Sequence, residues 1–237
     1  MQLFKLHSAI VLPMSIPSPI SVVLLAGGHG TRMRASTPKQ FLKLKKKIIA
    51  LHSFELFASI PQITEIIVVA DPAYHSLFPK TTRFAHPGKR RQDSVYNGLN
   101  QVSKSCQLVC IHDSARPLLS KEKLEEVLKE GLLYKAAALA VPVKNTIKES
   151  DPDHFIKRTL DRSVLWEMHT PQVATPELLY KGFEIARKNN LEVTDDTSLV
   201  ELTGHRVKLV TDSYKNIKIT TPEDLVLAEL YLSTTPP

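Results

Sequence analysis

Four short apolar runs, at 21–26, 65–70, 108–112 and 136–142, recur along the chain with stretches of helical period between them. Runs this short and apolar bury both faces, and their alternation with helices predicts an α/β architecture: a largely parallel sheet covered by helices on both sides. Helices are expected at 50–59, 93–102, 121–134, 176–189 and 222–232. Two carry clear start signals. Ser120 stands as a cap before Lys121-Glu122-Lys123, and Thr221-Pro222-Glu223-Asp224 joins a cap, a first-turn proline and early acidic residues. With 237 residues and 43% hydrophobic content, the chain suffices for one such domain with a full core. The expected division is an N-terminal extension at 1–20, within which Met14 is a candidate start, and a single domain at 21–237. Segment 143–170 departs from the pattern, with charged residues, Pro152 and short alternating stretches. It reads as a β-rich arm, too short to hold a core of its own, that packs on a neighbour.

The first apolar run, Val22-Val23-Leu24-Leu25-Ala26, breaks into Gly27-Gly28-His29-Gly30. A buried strand that ends in glycines lets backbone N–H groups approach a phosphate chain closely, because no Cβ intervenes. The loop fits neither common nucleotide fingerprint. Gly28-His29-Gly30-Thr31-Arg32-Met33 lacks the third glycine of a dinucleotide fold, and no Gly-Lys-Ser/Thr closes a P-loop. A plain tight turn is the competing reading, and Arg32 and Lys39 count against it. They supply the guanidinium fork and the point charge that a triphosphate requires.

Asp113 follows the third run, in His112-Asp113-Ser114-Ala115-Arg116-Pro117, at the carboxyl end of a strand, the edge where open parallel sheets bind ligands. There it can hold a divalent cation directly or through water, or accept from a sugar hydroxyl, or simply cap the next turn with Arg116 as its ion-pair partner. Ser94 either meets a base or caps a helix opening near Asp93. Lys218 ends a short strand that aims it at the same edge. Thr194-Asp195-Asp196 reads as a helix start rather than an acidic ligand cluster. Cys106 and Cys110 flank apolar residues and read as small buried groups. No Cys/His metal spacing and no Gly-x-Ser-x-Gly elbow occurs. The formal charge of +7 is spread along the chain, apart from Lys43 to Lys47 and Lys89-Arg90-Arg91, and aromatics make up 6% without interleaving among the basic residues. A nucleic-acid partner is therefore not expected, whereas small anionic substrates are. No run has the length of a membrane span and no signal peptide is evident.

Taken in order, Leu25 to Met33, Pro38-Lys39-Gln40, Arg91-Gln92-Asp93-Ser94-Val95, His112 to Pro117, Asp161-Arg162, Thr170-Pro171-Gln172 and Asn216-Ile217-Lys218-Ile219-Thr220 resemble the 2-C-methyl-D-erythritol 4-phosphate cytidylyltransferase family. Its plant and plant-like bacterial members look nearest. The resemblance implies a Rossmann-like fold and transfer of a cytidylyl group from CTP to methylerythritol phosphate, with Mg²⁺. It implies that Arg32 and Lys39 stabilise the transition state at the triphosphate, and that Arg162 and Lys218 hold the acceptor phosphate. It places Ala26, Gly27, Gly28, Gly30, Gly88 and Ser94 at the nucleotide, and Asp113, Arg116, Thr146 and Thr170 at the acceptor, with Asp113 also the candidate metal ligand. A homodimer through the 143–170 arm is expected, each arm completing the partner's site. The location would be the cytoplasm of a bacterium or the plastid stroma of a plant; a plant precursor would carry a longer Ser/Arg-rich leader than 1–20. A pentitol-phosphate cytidylyltransferase, acting on ribitol 5-phosphate for instance, is the alternative, since it would share the loop and the lysine.

Overall fold

The computed structural model describes residues 19–28, 33 and 37–234. The chain runs β1 (Ile20–Leu25), β2 (Lys43–Leu44), β3 (Lys47–Ile48), α1 (Ile49–Ala58), β4 (Ile63–Val69), β5 (Arg83–Ala85), α2 (Arg91–Leu99) and β6 (Leu108–Asp113). It continues through α3 (Lys121–Tyr134), β7 (Ala136–Pro142), β8 (Lys148–Ser150), β9 (Ile156–Thr159), β10 (Trp166–Ala174), α4 (Pro176–Lys188), α5 (Asp196–Leu202), β11 (Lys208–Thr211) and α6 (Pro222–Thr234). Seven strands form one sheet in the order β11-β7-β10-β6-β1-β4-β5. Its pairs are parallel except those of β10, which runs antiparallel to both β6 and β7.

The period-two rule sorts the core. Val22 and Leu24 face one cluster with Phe54 and Phe57 of α1 and Leu124 and Val127 of α3. Val23 faces the other, with Val95 and Leu99 of α2, Leu179 and Phe183 of α4, and Leu199 of α5. A third, smaller cluster (Leu44, Ile49, Ile219, Ala228) ties α6 to the β2–β3 hairpin. The helix starts follow local chemistry. Ser120 Oγ accepts from the Lys123 N–H at 3.3 Å, and the Thr220 and Thr221 N–H groups donate to Asp224 Oδ2 at 2.8 and 2.9 Å. Asp195 Oδ1 accepts from the Ser198 N–H at 2.9 Å, so Thr194-Asp195-Asp196 is a helix start.

Several bounds differ from expectation by a few residues, and two of the departures have a clear physical cause. Helix α2 begins at Arg91, two residues early, because Asp93 acts from inside the helix, its Oδ2 accepting from the Arg90 N–H at 3.1 Å. The arm is narrower than 143–170. Its hairpin is β8–β9, and from Trp166 the chain is back in the main sheet as β10. Residues 1–18 of the expected extension, Met14 among them, lie outside the described residues. No described helix is long and apolar enough to cross a membrane.

Candidate active site

Strand β1 pairs with β6 so that Leu25 lies opposite Asp113, which puts the glycines after β1 and the carboxylate of Asp113 at one carboxyl edge. The chain also changes direction across the sheet here. From β1 it builds outward to β4 and β5, then crosses back to lay β6 on β1's other side. Such a switch point leaves a crevice. An open cleft of about 430 Å³ occupies it, lined among others by Gly27, Gly28, Lys39, Gly88, Ser94, Asp113 and Lys218. Ala26 lines an adjoining cleft with Gly27, Gly28 and Gly88.

Close packing explains two of the glycines, Gly27 and Gly88. A Cβ on Gly27 would stand 2.6 Å from the Pro87 side chain, and one on Gly88 would stand 2.3 Å from Asp93 Cβ. A Cβ on Gly28 would meet nothing within 4 Å, so it would project into the space above the loop. Ser94 is neither a helix cap nor turned wholly to the cleft: its Oγ accepts from the Gly88 N–H at 2.9 Å and donates to Arg90 O at 3.3 Å. It thereby fixes the turn in which Gly88 sits.

Asp113 is the electrostatic centre. Its Oδ2 accepts from Lys218 Nζ at 2.7 Å and its Oδ1 from Arg91 Nε at 3.2 Å. Burial alone would push its carboxyl up; Arg91 and Lys218 together outweigh that and hold it well below the usual carboxylate range. Arg91 reaches further, clamping Asp196 with two bonds of 2.9 and 2.8 Å. The alternative in which Asp113 takes Arg116 as its ion-pair partner is not what the structure holds, since Arg91 and Lys218 fill that place. Arg116 is turned inward, donating from Nη1 to Asn216 O at 2.6 Å and from Nη2 to Met168 O at 3.3 Å, and it does not line the cleft. It anchors the 212–219 segment instead, helped by the Ile219 N–H donating to Ala115 O at 2.8 Å, and that segment presents Lys218.

Thr170 likewise lies behind the cleft. Its Oγ1 accepts from the Asp113 N–H at 3.1 Å and lies 3.1 Å from His112 Nδ1. His112 Nε2 faces Arg116 O at 3.2 Å. A carbonyl only accepts, so the network assigns the proton to Nε2 and leaves Nδ1 to accept from Thr170. Burial pulls the His112 pKa down to about 4, which keeps the ring neutral near pH 7. Thr146 and Arg162 are carried by the arm region and do not line this chain's cleft; Arg162 Nη1 donates to Lys144 O at 2.5 Å. Gly30 and Arg32 lie outside the described residues. Sequence reasoning passed over Arg91 and left Gln40 without a role. The signals were there: a basic residue at the first turn of the helix after Gly88, and a polar residue directly after Lys39.

The fold and this edge define a class: an α/β protein with a cation-lined cleft at the carboxyl ends of β1 and β6. Residues 20–234 match the family described as "IspD: 2-C-methyl-D-erythritol 4-phosphate cytidylyltransferase", and the chain belongs to that family. It is 52% identical over 217 residues to the chloroplastic 2-C-methyl-D-erythritol 4-phosphate cytidylyltransferase of Oryza sativa subsp. japonica, covering 89% of this chain and 73% of the rice protein. The protein of the same name from Caldanaerobacter subterraneus subsp. tengcongensis is 46% identical over 223 residues, which is 90% of this chain and 98% of that one. Among solved structures, the Francisella tularensis enzyme superposes with a TM-score of 0.78 at 32% identity, over 90% of this chain and 99% of that one.

Proposed function

We infer that this chain transfers the cytidylyl group of CTP to 2-C-methyl-D-erythritol 4-phosphate, giving 4-diphosphocytidyl-2-C-methyl-D-erythritol and pyrophosphate in non-mevalonate isoprenoid precursor synthesis. Beyond family membership, one observation carries the reading: the Lys218–Asp113–Arg91 array faces Gly27, Gly28 and Lys39 across a single cleft. In the reaction an acceptor phosphate oxygen forms a bond to the α-phosphorus of CTP while the bond from that phosphorus to the pyrophosphate oxygen breaks. The attacking oxygen is already ionised at neutral pH, so no general base is required. The difficulty is to hold two anions in line and to stabilise the charge that builds between them. Lys39 and Arg32 serve the triphosphate, the Gly27–Gly28 backbone admits it closely, and Gly88 with Ser94 shapes the base end. Lys218 addresses the acceptor phosphate. Arg116 and Thr170 act from behind, by holding the Lys218 segment and the Asp113 backbone.

Mg²⁺ fits this donor set. Asp113 is an ionised oxygen ligand at the cleft, and among the described residues no cluster of three His, Cys, Asp or Glu competes to hold a metal. Mg²⁺ takes one or two carboxylates, waters and substrate phosphates rather than an all-protein cage. Both Asp113 oxygens already accept from cations, which favours contact through water. When bound, the ion would neutralise phosphate charge and orient the leaving pyrophosphate.

The arm supports a homodimer. Phe155, Ile156 and Val164 are 72%, 66% and 71% exposed, apolar surface that a lone chain leaves in water. Docking on a second copy would cover it and bring Thr146 and Arg162 to the partner's acceptor site. Similarity to chloroplastic and bacterial proteins supports the stroma or the cytoplasm, according to the source.

The deciding assay is pyrophosphate release from CTP and Mg²⁺, with methylerythritol phosphate and ribitol 5-phosphate as parallel acceptors. The expected outcome is release dependent on methylerythritol phosphate and much slower with the pentitol. Preference for the pentitol would overturn the acceptor assignment, and release with neither would overturn the function.

A further inference from the structure

The shape of the glycine loop has a source outside the loop. Gln40 sits in the 3-10 turn Lys39–Phe41 and is buried. Its Nε2 donates to Ala26 O at 2.6 Å and to Gly28 O at 2.8 Å. An amide nitrogen has two hydrogens, so both are committed to the loop. The peptide unit is planar, with C=O and N–H pointing opposite ways. Drawing the Ala26 carbonyl toward Gln40 therefore turns the Gly27 N–H away from it. The Ala26 N–H is itself fixed to Val69 O at 2.9 Å, so the loop is pinned to the sheet on one side and to Gln40 on the other. The space above Gly28, where a Cβ would meet nothing within 4 Å, lies over the clamped segment. Lys39 is the residue before Gln40 and lines the same cleft. One side chain thus fixes the loop and the lysine relative to each other.

We propose that Gln40 is a positioning residue for the triphosphate: its amide clamp on Ala26 and Gly28 sets the affinity for CTP and leaves that for the acceptor untouched. This rests on the cytidylyltransferase reading. Gln40→Met keeps the length of the side chain and removes both donors, while Gln40→Asn keeps the amide and gives up the reach. The measurements are CTP binding by calorimetry with Mg²⁺ and no acceptor, steady-state kinetics in each substrate, and thermal melting. Losing two hydrogen bonds that preorganise the loop should weaken CTP binding and raise its KM by about 10- to 100-fold, with the acceptor KM within about twofold of wild type. Gln40→Asn should show the same split, and it decides the matter if Gln40→Met does not fold. Unchanged CTP affinity in either folded variant, or an equal rise in both KM values, would overturn the clamp. Absence of transferase activity in the wild type would overturn the parent reading instead, and calorimetry with CTP would still test the clamp.

Discussion

Replacing Arg91 with methionine isolates the most heavily committed cation of the cleft. The guanidinium gives two hydrogen bonds to Asp196 and one to Asp113. Their side chains are 4% and 11% exposed, against 30% for Arg91 itself. Asp113 would keep Lys218, whereas Asp196 has no other ion pair among the described residues. Removing one partner of a buried pair costs about 3–5 kcal/mol, because the other charge stays buried. The helix N-terminus of α5 offsets a part of this, so about 3 kcal/mol is the working figure. For a domain of this size that corresponds to a fall of about 6–12 °C in melting temperature. The deficit should depend on pH. Burial already raises the Asp196 carboxyl above its ordinary value despite Arg91, and without Arg91 it rises further. An acid whose folded pKa exceeds its unfolded one binds more protons when folded, so its contribution falls as pH rises through that window. The variant should therefore lie furthest below wild type at pH 7 and approach it toward pH 5. Urea unfolding at pH 5, 6 and 7 reads this directly. Adding Asp196→Asn should recover more than half of the loss at pH 7. A deficit below about 1 kcal/mol, the range of an exposed pair, or one equal at pH 5 and pH 7 would refute the reasoning.

Gly28→Ala should leave the melting temperature unchanged and raise the KM for CTP at least about tenfold, since its methyl enters open space above the loop. Gly27→Ala should also destabilise the fold, by about 1–3 kcal/mol in urea unfolding, because its methyl meets Pro87. Lys218→Ala should raise the KM for methylerythritol phosphate and lower turnover while calorimetric CTP affinity stays near wild type; collapse of CTP binding with normal acceptor saturation would exchange the roles. Lys39→Ala and Arg162→Ala proteins, each inactive, should regain partial activity when unfolded and refolded together, as mixed dimers would contain one site with both residues. Failure of mixed dimers to recover activity would place Arg162 in its own chain's site.

Where burial and pattern coincide, the fold was legible. Strand β7 matches its expected bounds because 136–142 is nearly all alanine, leucine and valine between a helix end and a polar stretch, and α3 matches because its cap is a plain serine. Strand β10 was hidden. Trp-Glu-Met-His-Thr-Pro-Gln-Val-Ala reads as polar and carries a proline, which argues against a central strand. Its polar groups are tolerated at the centre of the sheet because distant segments satisfy them. Gln172 Oε1 accepts from the Asp196 and Thr197 N–H groups at 2.8 and 3.1 Å, and His169 Nδ1 lies 2.8 Å from Asp212 Oδ2. No local pattern announces a partner 24 or 43 residues away. The same limit separates Lys39 from Gln40. A cation after a glycine loop declares its chemistry by type, while an amide declares nothing until its two carbonyls are seen.

That limit bears on why a site for two anions contains a buried carboxylate at all. Asp113 repels phosphate, yet it faces Arg91 and Lys218 at bonding distance, and Lys39, Lys89 and Arg90 line the same cleft, so the balance stays positive. A free lysine carries about 2 kcal/mol of rotamer entropy that a phosphate must remove on binding. Held on Asp113 at 2.7 Å, Lys218 has given up much of that freedom before substrate arrives. Its side chain is 39% exposed while Asp113 is 11% exposed, so the lysine meets the solvent side and the carboxylate stays behind it. Arg91 keeps Asp113 paired if Lys218 turns toward a phosphate, which spares the site an uncompensated buried charge. On the proposed acceptor role of Lys218, the carboxylate would work as a fixed support from which the lysine is handed to its substrate, with the buried Asp196 beneath Arg91 extending that support into the core.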